Sequence, residues 1–264
     1  MSGAMLSKCR VDEKGFSGFF DSVAEDYLQR VMENEEFYRG IVDHLERENI
    51  LRCDDEVLDI SCGPGTYTLP MAKRTRSVSS LDPAEGMLSV LMREAANRGL
   101  LNVRTIKSKW EDYGGEEKFD LVFVALSPGI RGPNDFLKME RFSRRNCCYI
   151  GFGKGGKDSL GDEIWEQVMG EKRKNNDFNI TIPFNLLHAK GRKPNVRFFE
   201  KSSLSKEPGE EVIKSNTEWL SMYTKMDRAK KKKVRDYVND RSTDGYYEHD
   251  AVLSLVALYW EVPK

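Results

Sequence analysis

Long apolar runs, a cysteine framework and grouped histidines are all missing from this sequence. No stretch approaches the ~18–20 apolar residues needed to cross a bilayer, so a membrane span is not expected. The first residues lack a basic flank followed by an apolar core, so a secretory signal is not expected either. The five cysteines (Cys9, Cys53, Cys62, Cys147 and Cys148) are an odd number without CxxC spacing, and two are adjacent. That pattern fits reduced thiols in a cytoplasmic protein rather than a disulfide framework. The three histidines are not clustered with cysteines, so no metal site is expected. Net charge is nearly absent as well: at −1 the whole-molecule field does not steer toward nucleic acid.

What is present is a globular composition, with 39% hydrophobic and 32% charged residues over 264 positions, enough for one large domain or a domain with an insertion. Between Phe16 and Asn49, apolar residues recur at helical spacing and predict two amphipathic helices broken near Asn34. Strands are then predicted at 57–60, 77–81, 103–106, 119–126 and 147–152, with helices at 66–74, 83–99 and 134–143 between them. Strands alternating with helices imply βαβ units. The expected fold class is therefore α/β: a doubly wound, mostly parallel Rossmann-like sheet with helices on both faces, plus N-terminal helices and a helical insertion near the C-terminus.

Beyond Gly153 the pattern predicts a helix at 161–175 and a helical or irregular segment at 178–188. A strand at 196–199, one charged helix over 215–238 and a closing strand at 251–262 follow, with a turn at Pro208-Gly209. The domain expectation is an N-terminal helical lid over 1–50. Residues 51–264 are expected to form the main domain, with its insertion at about 205–250.

The chemistry is concentrated in the turn after the first predicted strand, Asp59-Ile60-Ser61-Cys62-Gly63-Pro64-Gly65-Thr66. A dinucleotide loop wants three glycines in G-x-G-x-x-G, and Thr68 occupies the third position here. An acid at the strand end and a tight turn suit S-adenosyl-L-methionine better, because that ligand carries a sulfonium and an amino-acid tail and no pyrophosphate. In Leu81-Asp82-Pro83-Ala84-Glu85-Gly86-Met87, Asp82 follows at about the ~20-residue spacing of a ribose-binding acid. Its two oxygens can accept from vicinal hydroxyls; the competing role is a helix N-cap.

These motifs resemble those of the class I S-adenosylmethionine-dependent methyltransferases over about residues 17–152. Residues 57–66 look like the first motif, with Ser61 standing where a glycine is usual. Residues 81–88 are similar to the second, in which Met87 packs near adenine. The resemblance implies a third element at Lys109-Trp110-Glu111-Asp112, with Trp110 and Glu111 beside the adenine, although Lys109 stands where an acid is common. It also implies a fourth-strand motif whose end, Ala125-Leu126-Ser127, borders cofactor and substrate, and a lid residue, Tyr27. The implied cofactor contacts are Tyr27, Asp59, Ser61, Cys62, Gly63, Gly65, Thr66, Asp82, Pro83, Met87, Trp110, Glu111, Ala125 and Leu126. The implied product is S-adenosyl-L-homocysteine.

Methyl transfer from a sulfonium is a direct displacement to which the protein contributes positioning and exclusion of water. No catalytic residue is assigned. His188, His249, Tyr246 and Tyr247 could act as bases, but no motif supports that, and structural roles account for them better. The run Lys225, Arg228, Lys230–Lys233 and Arg235 reads either as an acidic-partner patch or as a solvated helix balanced by nearby acids. A small-molecule acceptor is expected, with RNA or protein methylation and a non-catalytic binding module as the other readings. A nicotinamide-dependent dehydrogenase is the outlying case.

Overall fold

The computed structural model describes residues 18, 20, 21, 23–130, 132–153, 159–172 and 180–263. Cys9, Ser22, residues 1–17 of the expected lid and the segments 173–175 and 178–179 of the predicted helices lie outside the described residues. In chain order the strands are β1 (Glu56–Ile60), β2 (Ser77–Asp82), β3 (Val103–Lys107), β4 (Phe119–Ala125), β5 (Ser143–Phe152), β6 (Asn195–Pro208), β7 (Ser242–Thr243) and β8 (Tyr246–Glu261). The helices are α1 (Ala24–Glu33), α2 (Glu35–Arg47), α3 (Thr68–Ala72), α4 (Glu85–Asn97), α5 (Pro133–Phe142), α6 (Ser159–Met169), α7 (Thr181–Ala189), α8 (Gly209–Ser221) and α9 (Arg228–Asn239).

Strands β1 to β5 pair in parallel, β1 lying between β2 and β4. Strand β8 runs antiparallel to β5, from Asn146 opposite Glu261 to Phe152 opposite Leu255. The full order is β3-β2-β1-β4-β5-β8-β6, with β7 on β8. It departs from the dinucleotide-binding order 3-2-1-4-5-6 by an antiparallel strand placed between the last two. The chain leaves β1 for β2 in one direction and reaches β4 in the other, so the switch point lies at the carboxyl ends of β1 and β4.

The parallel strands read as near-continuous apolar runs because both faces are covered. Leu58, Ile60, Val122, Val124, Cys147 and Tyr149 share one core with Phe136 and Met139 of α5 and Leu187 of α7. The alternate residues face the other way: Asp59 meets Thr68 of α3, and Phe123 meets Tyr67, ring centroids 5.0 Å apart. At the amino ends of the strands, a polar depression is occupied by ion pairs of Arg144 with Asp120 and of Arg145 with Asp55.

The chain forms two compact units. One comprises Phe20–Gly153, Phe178–Phe199 and Leu255–Lys264. Of the other, residues 18, 159–172 and 200–254 are described. The expected division at residue 50 differs from this, since α1 and α2 belong with the parallel sheet and α6 belongs with α8 and α9. The second unit has its own core: Ile164 and Trp165 of α6, Val212 and Leu220 of α8, and Val234, Tyr237 and Val238 of α9.

Several elements differ from the sequence expectation. The single helix over 215–238 is two, α8 and α9, because Asp227 caps a new start by accepting from the Lys230 backbone N–H at 2.9 Å. Pro208-Gly209 is not a free turn; Gly209 opens α8 directly. Segment 178–188 is helical over its described part. The closing strand begins at Tyr246, after an Asp244-Gly245 turn in which both residues have positive φ (53° and 81°).

Candidate functional site

Strand β1 delivers Asp59 and Ile60 to the sheet's carboxyl edge, and the chain then reverses through three left-handed positions: Ser61 (φ 56°), Gly63 (φ 54°) and Gly65 (φ 98°). The loop is tied to the end of β2. Cys62 N–H donates to the Leu81 carbonyl at 3.1 Å, and Gly63 N–H donates to Asp82 Oδ2 at 3.0 Å. The other Asp82 oxygen accepts from Ala84 N–H at 2.9 Å, so Asp82 also serves as the local cap before α4. Burial raises its pKa; the two backbone bonds act in the opposite direction, and the charge of Asp21 adds to the rise.

Asp59 behaves differently from Asp82. Strand alternation turns it beneath α3, where it is 2% exposed and accepts from Thr68 Oγ1 at 2.5 Å. Thr68 Oγ1 in turn lies 3.1 Å from Ser80 Oγ. Asp59 thus braces the turn from inside and offers no open face to a ligand. Burial pushes its pKa up to about 7, the Thr68 bond opposing and the Asp82 charge adding. The folded chain therefore holds this proton more tightly than the unfolded one. Its contribution to stability is complete below the ordinary value of 3.8 and is lost as pH rises through about 7. Asp59→Asn is expected to flatten the decline across that interval in urea melts; an unchanged decline would sink this assignment.

On the other side of the switch point, Leu126 follows β4 with φ 51°, unusual for a leucine, and its N–H donates to the Ile150 carbonyl at 2.8 Å. Backbone held in such regions concentrates at functional sites. Ser127 Oγ lies 2.7 Å from Ser61 Oγ and accepts from Gly129 N–H at 3.0 Å. The sequence places Ala125 to Ser127 at this edge and counts Ala125 and Leu126, but not Ser127, among the cofactor contacts. The available signal was its position two residues beyond a strand neighbouring β1.

Other expected contacts are distributed around this centre. Met87 is buried with Ala84 and Val90, and Tyr27 packs against that cluster from α1. Asp21 accepts from Gly86 N–H at 2.7 Å, fastening the segment before α1 to the start of α4. Thr66 lines a small depression with Leu28, Val31 and Gly65. Pro83 is half-buried beside Asp82. The Cys62 thiol is buried.

Trp110 is 2% exposed and packs under α5, stacked with Tyr113, with Lys138 Nζ 4.6 Å from its ring centroid. A Cβ on Gly129 would sit 3.8 Å from Trp110 Cβ. Glu111 is exposed and 3.7 Å from Lys109 Nζ. Of the bases considered, His188 is exposed on α7, stacked on Phe184, whereas Tyr246, Tyr247 and His249 belong to the second unit. Among the described residues no cluster of His, Cys, Asp or Glu could hold a metal ion. No described helix is long and apolar enough to cross a membrane.

The residues present fit a nucleoside-type cofactor without a pyrophosphate. Each Asp82 oxygen receives one backbone N–H and keeps acceptor capacity for a hydroxyl. A Cβ built on Gly63 meets nothing within 4 Å among the described residues, so the space over the loop is open.

Sheet order and crevice together define a class I methyltransferase fold, and comparison with known proteins agrees. Residues 57–139 match the model of a family described as a methyltransferase domain. A 23S rRNA (uracil(1939)-C(5))-methyltransferase of Aeromonas hydrophila is 32% identical over 106 residues, covering 37% of this chain and 23% of that protein. An uncharacterized protein of Haemophilus influenzae is 26% identical over 159 residues, covering 58% of this chain and 56% of its own length. The chain thus spans about half or less of these curated relatives. Among solved structures, the YcgJ protein of Bacillus subtilis superposes with TM-score 0.56 at 13% identity, covering 86% of this chain and 98% of that one. Magnesium protoporphyrin IX methyltransferase from Synechocystis PCC 6803, with bound SAH, gives 0.51 at 14% identity, covering 91% and 97%. Residues 57–139 thus match a methyltransferase-domain family, and the fold is the Rossmann-like one shared with these solved structures.

Proposed function

We propose that this protein binds S-adenosyl-L-methionine at the carboxyl ends of β1, β2 and β4 and transfers its methyl group to a small-molecule acceptor, releasing S-adenosyl-L-homocysteine. The observation that carries this is Asp82: a carboxylate at the end of β2, 7% exposed, that accepts from the N–H of Gly63, a residue whose Cβ direction is open. When bound, the cofactor supplies a methyl carbon made electrophilic by a positive sulfur. The chain's own residues position it. Asp82 takes the ribose hydroxyls, the 61–65 turn brings backbone close, and Met87 with Tyr27 excludes water from one side.

No covalent nucleophile is required, and burial pushes the Cys62 thiol far up, away from thiolate chemistry. A base is needed only where the acceptor begins protonated. A cytoplasmic setting is part of the proposal, supported by Cys147 and Cys148, adjacent buried free thiols that pack as small apolar groups.

Known relatives supply both acceptor classes: the ribosomal RNA enzyme above, and a cobalt-precorrin-6B C(15)-methyltransferase of Methanocaldococcus jannaschii, 31% identical over 80 residues. The small-molecule reading rests on the near-zero net charge and on Ser127-Pro128, which lacks the acidic or Asn-Pro-Pro-aromatic pattern of base-amine methylation. One observation favours RNA as a second reading. Arg228, Lys231, Lys232 and Arg235 form one stripe on α9, with Val234, Tyr237 and Val238 turned to the core. Isothermal titration with S-adenosyl-L-methionine tests the cofactor: micromolar binding is expected, and none by folded protein would refute it. Retention on RNA that weakens steeply with salt would transfer the acceptor to the nucleic-acid class.

A further inference from the structure

We infer that α1 alone swings on a hinge at Asn34 and is latched to α4 by two polar tethers, Asp21 to the Gly86 N–H and Glu25 to Arg93. The latch sets how fast the cofactor enters and leaves, so this inference rests on the cofactor reading above. The two N-terminal helices are anchored differently. Helix α2 buries Ile41, Val42 and Leu45, each 0% exposed, whereas α1 buries only Ala24. Asn34 ends one helix and begins the other, with φ −116° and no side-chain cap on either. Arg98 pins the hinge by pairing with Glu35 at 2.6 Å. A segment with few buried contacts between a pinned hinge and exposed tethers is the part that opens first.

The tethers join α1 to the helix that follows the ribose acid. Arg93 reaches both Glu25 oxygens, at 2.5 and 2.8 Å, in a forked pair. Glu25 lies nine residues before Asn34, so the fork acts about 13 Å along the helix from the hinge. Asp21 Oδ1 accepts from Gly86 N–H at 2.7 Å. Ala84, the N-cap of α4, offers no side-chain cap, so Asp21 supplies one from 65 residues earlier. Gly86 admits it: a Cβ there would lie 3.0 Å from both the Asp21 Cα and its carbonyl oxygen.

Opposing forces meet at this contact. Closure brings the Asp21 charge close enough to Asp82 to raise the pKa of that buried carboxyl, a repulsion that favours opening. Against it stand the fork, the trans cap and a small seam of Tyr27 and Leu28 on Ala84, Met87 and Val90. Glu25 and Arg93 are half or more exposed, so salt weakens the fork.

Stopped-flow exchange of S-adenosyl-L-homocysteine on the full chain tests the latch. Wild-type release should quicken about threefold between about 0.05 and about 0.5 M NaCl. Arg93→Glu sets two acids against each other and should release about tenfold faster at low salt. Entry should quicken too, because a latch holds the lid shut with or without ligand beneath it. Glu25→Arg/Arg93→Glu reverses the pair and should restore both rates. Gly86→Ala changes no charge yet expels Asp21, so release should quicken while α4 loses no stability, alanine being the better helix former. Rates indistinguishable from wild type in Arg93→Glu and Gly86→Ala overturn the inference, as does slower entry, which would make these residues supports of the site. Wild-type protein that binds neither S-adenosyl-L-methionine nor its product defeats the cofactor reading instead. The latch is then read without ligand: Arg93→Glu should speed hydrogen exchange of α1 amides and leave α2 unchanged, and equal exchange in α1 overturns it.

Discussion

Gly65→Ala is expected to destabilise the sheet unit by about 2–5 kcal/mol, combining the strain of a left-handed non-glycine with overpacking of a filled core. Gly65 has φ 98°, and a Cβ there would lie 2.5 Å from Leu91 Cδ1, 3.1 Å from Leu69 Cγ and 3.3 Å from Leu69 Cδ1. Neither leucine can withdraw easily, since Leu91 is 0% and Leu69 4% exposed. The glycine is where α3 and α4 come close to the turn after β1. Gly63→Ala makes the informative contrast. Its φ is also positive, 54°, yet its Cβ meets nothing within 4 Å among the described residues. That variant should lose only about 1–2 kcal/mol to strain, while its methyl group enters the space over the loop and weakens cofactor binding. Urea melts and titration of the two variants side by side separate the roles. Equal loss of stability in both would sink the assignment of Gly65 to packing and Gly63 to the ligand.

The same contrast shows what could be read from sequence. Spacing alone placed Asp59, Gly63, Gly65 and Asp82 on one loop and the next strand end, because strand-turn-helix units repeat with fixed turn chemistry. The parallel sheet was legible for a related reason: doubly covered strands are short apolar runs between glycine, proline and acid punctuation. Asp59 was harder, since whether a strand-end acid faces the crevice or lies under the following helix depends on pleat and register. Here alternation sends it to Thr68. Trp110 depended on which face of the sheet its loop rejoined, and it packs with Phe142 and Tyr113 under α5. The pairing of Ser127 with Ser61 was hidden most completely, because the two lie 66 residues apart and only strand order makes them neighbours. In the second unit, seven cations at 225–235 masked a helix break that Asp227 alone could announce, and the Asp244-Gly245 hairpin signal was present but unread.

The largest effect on binding is expected at Asp82. Asp82→Asn leaves one oxygen and introduces an amide N–H₂, so one of the two backbone donors, Gly63 N–H or Ala84 N–H, faces another donor. The loop after β1 then loses its tie to β2, and the ribose hydroxyls lose an anionic acceptor. Hydrogen bonds to charged groups contribute about 1.5–3 kcal/mol each, so losing the ligand bond together with loop order should weaken S-adenosyl-L-methionine binding about 100-fold or more. Stability should move much less. Burial and the nearby Asp21 already raise the Asp82 pKa, so removing the charge relieves desolvation and repulsion that offset the lost backbone bond. A variant that binds about 100-fold more weakly yet unfolds within about 1 kcal/mol of the wild type places Asp82 in the ligand site. A variant that loses stability and affinity in proportion would instead make it a helix cap whose absence disorders α4. The two roles of one carboxylate are thereby distinguished by two curves measured on one protein.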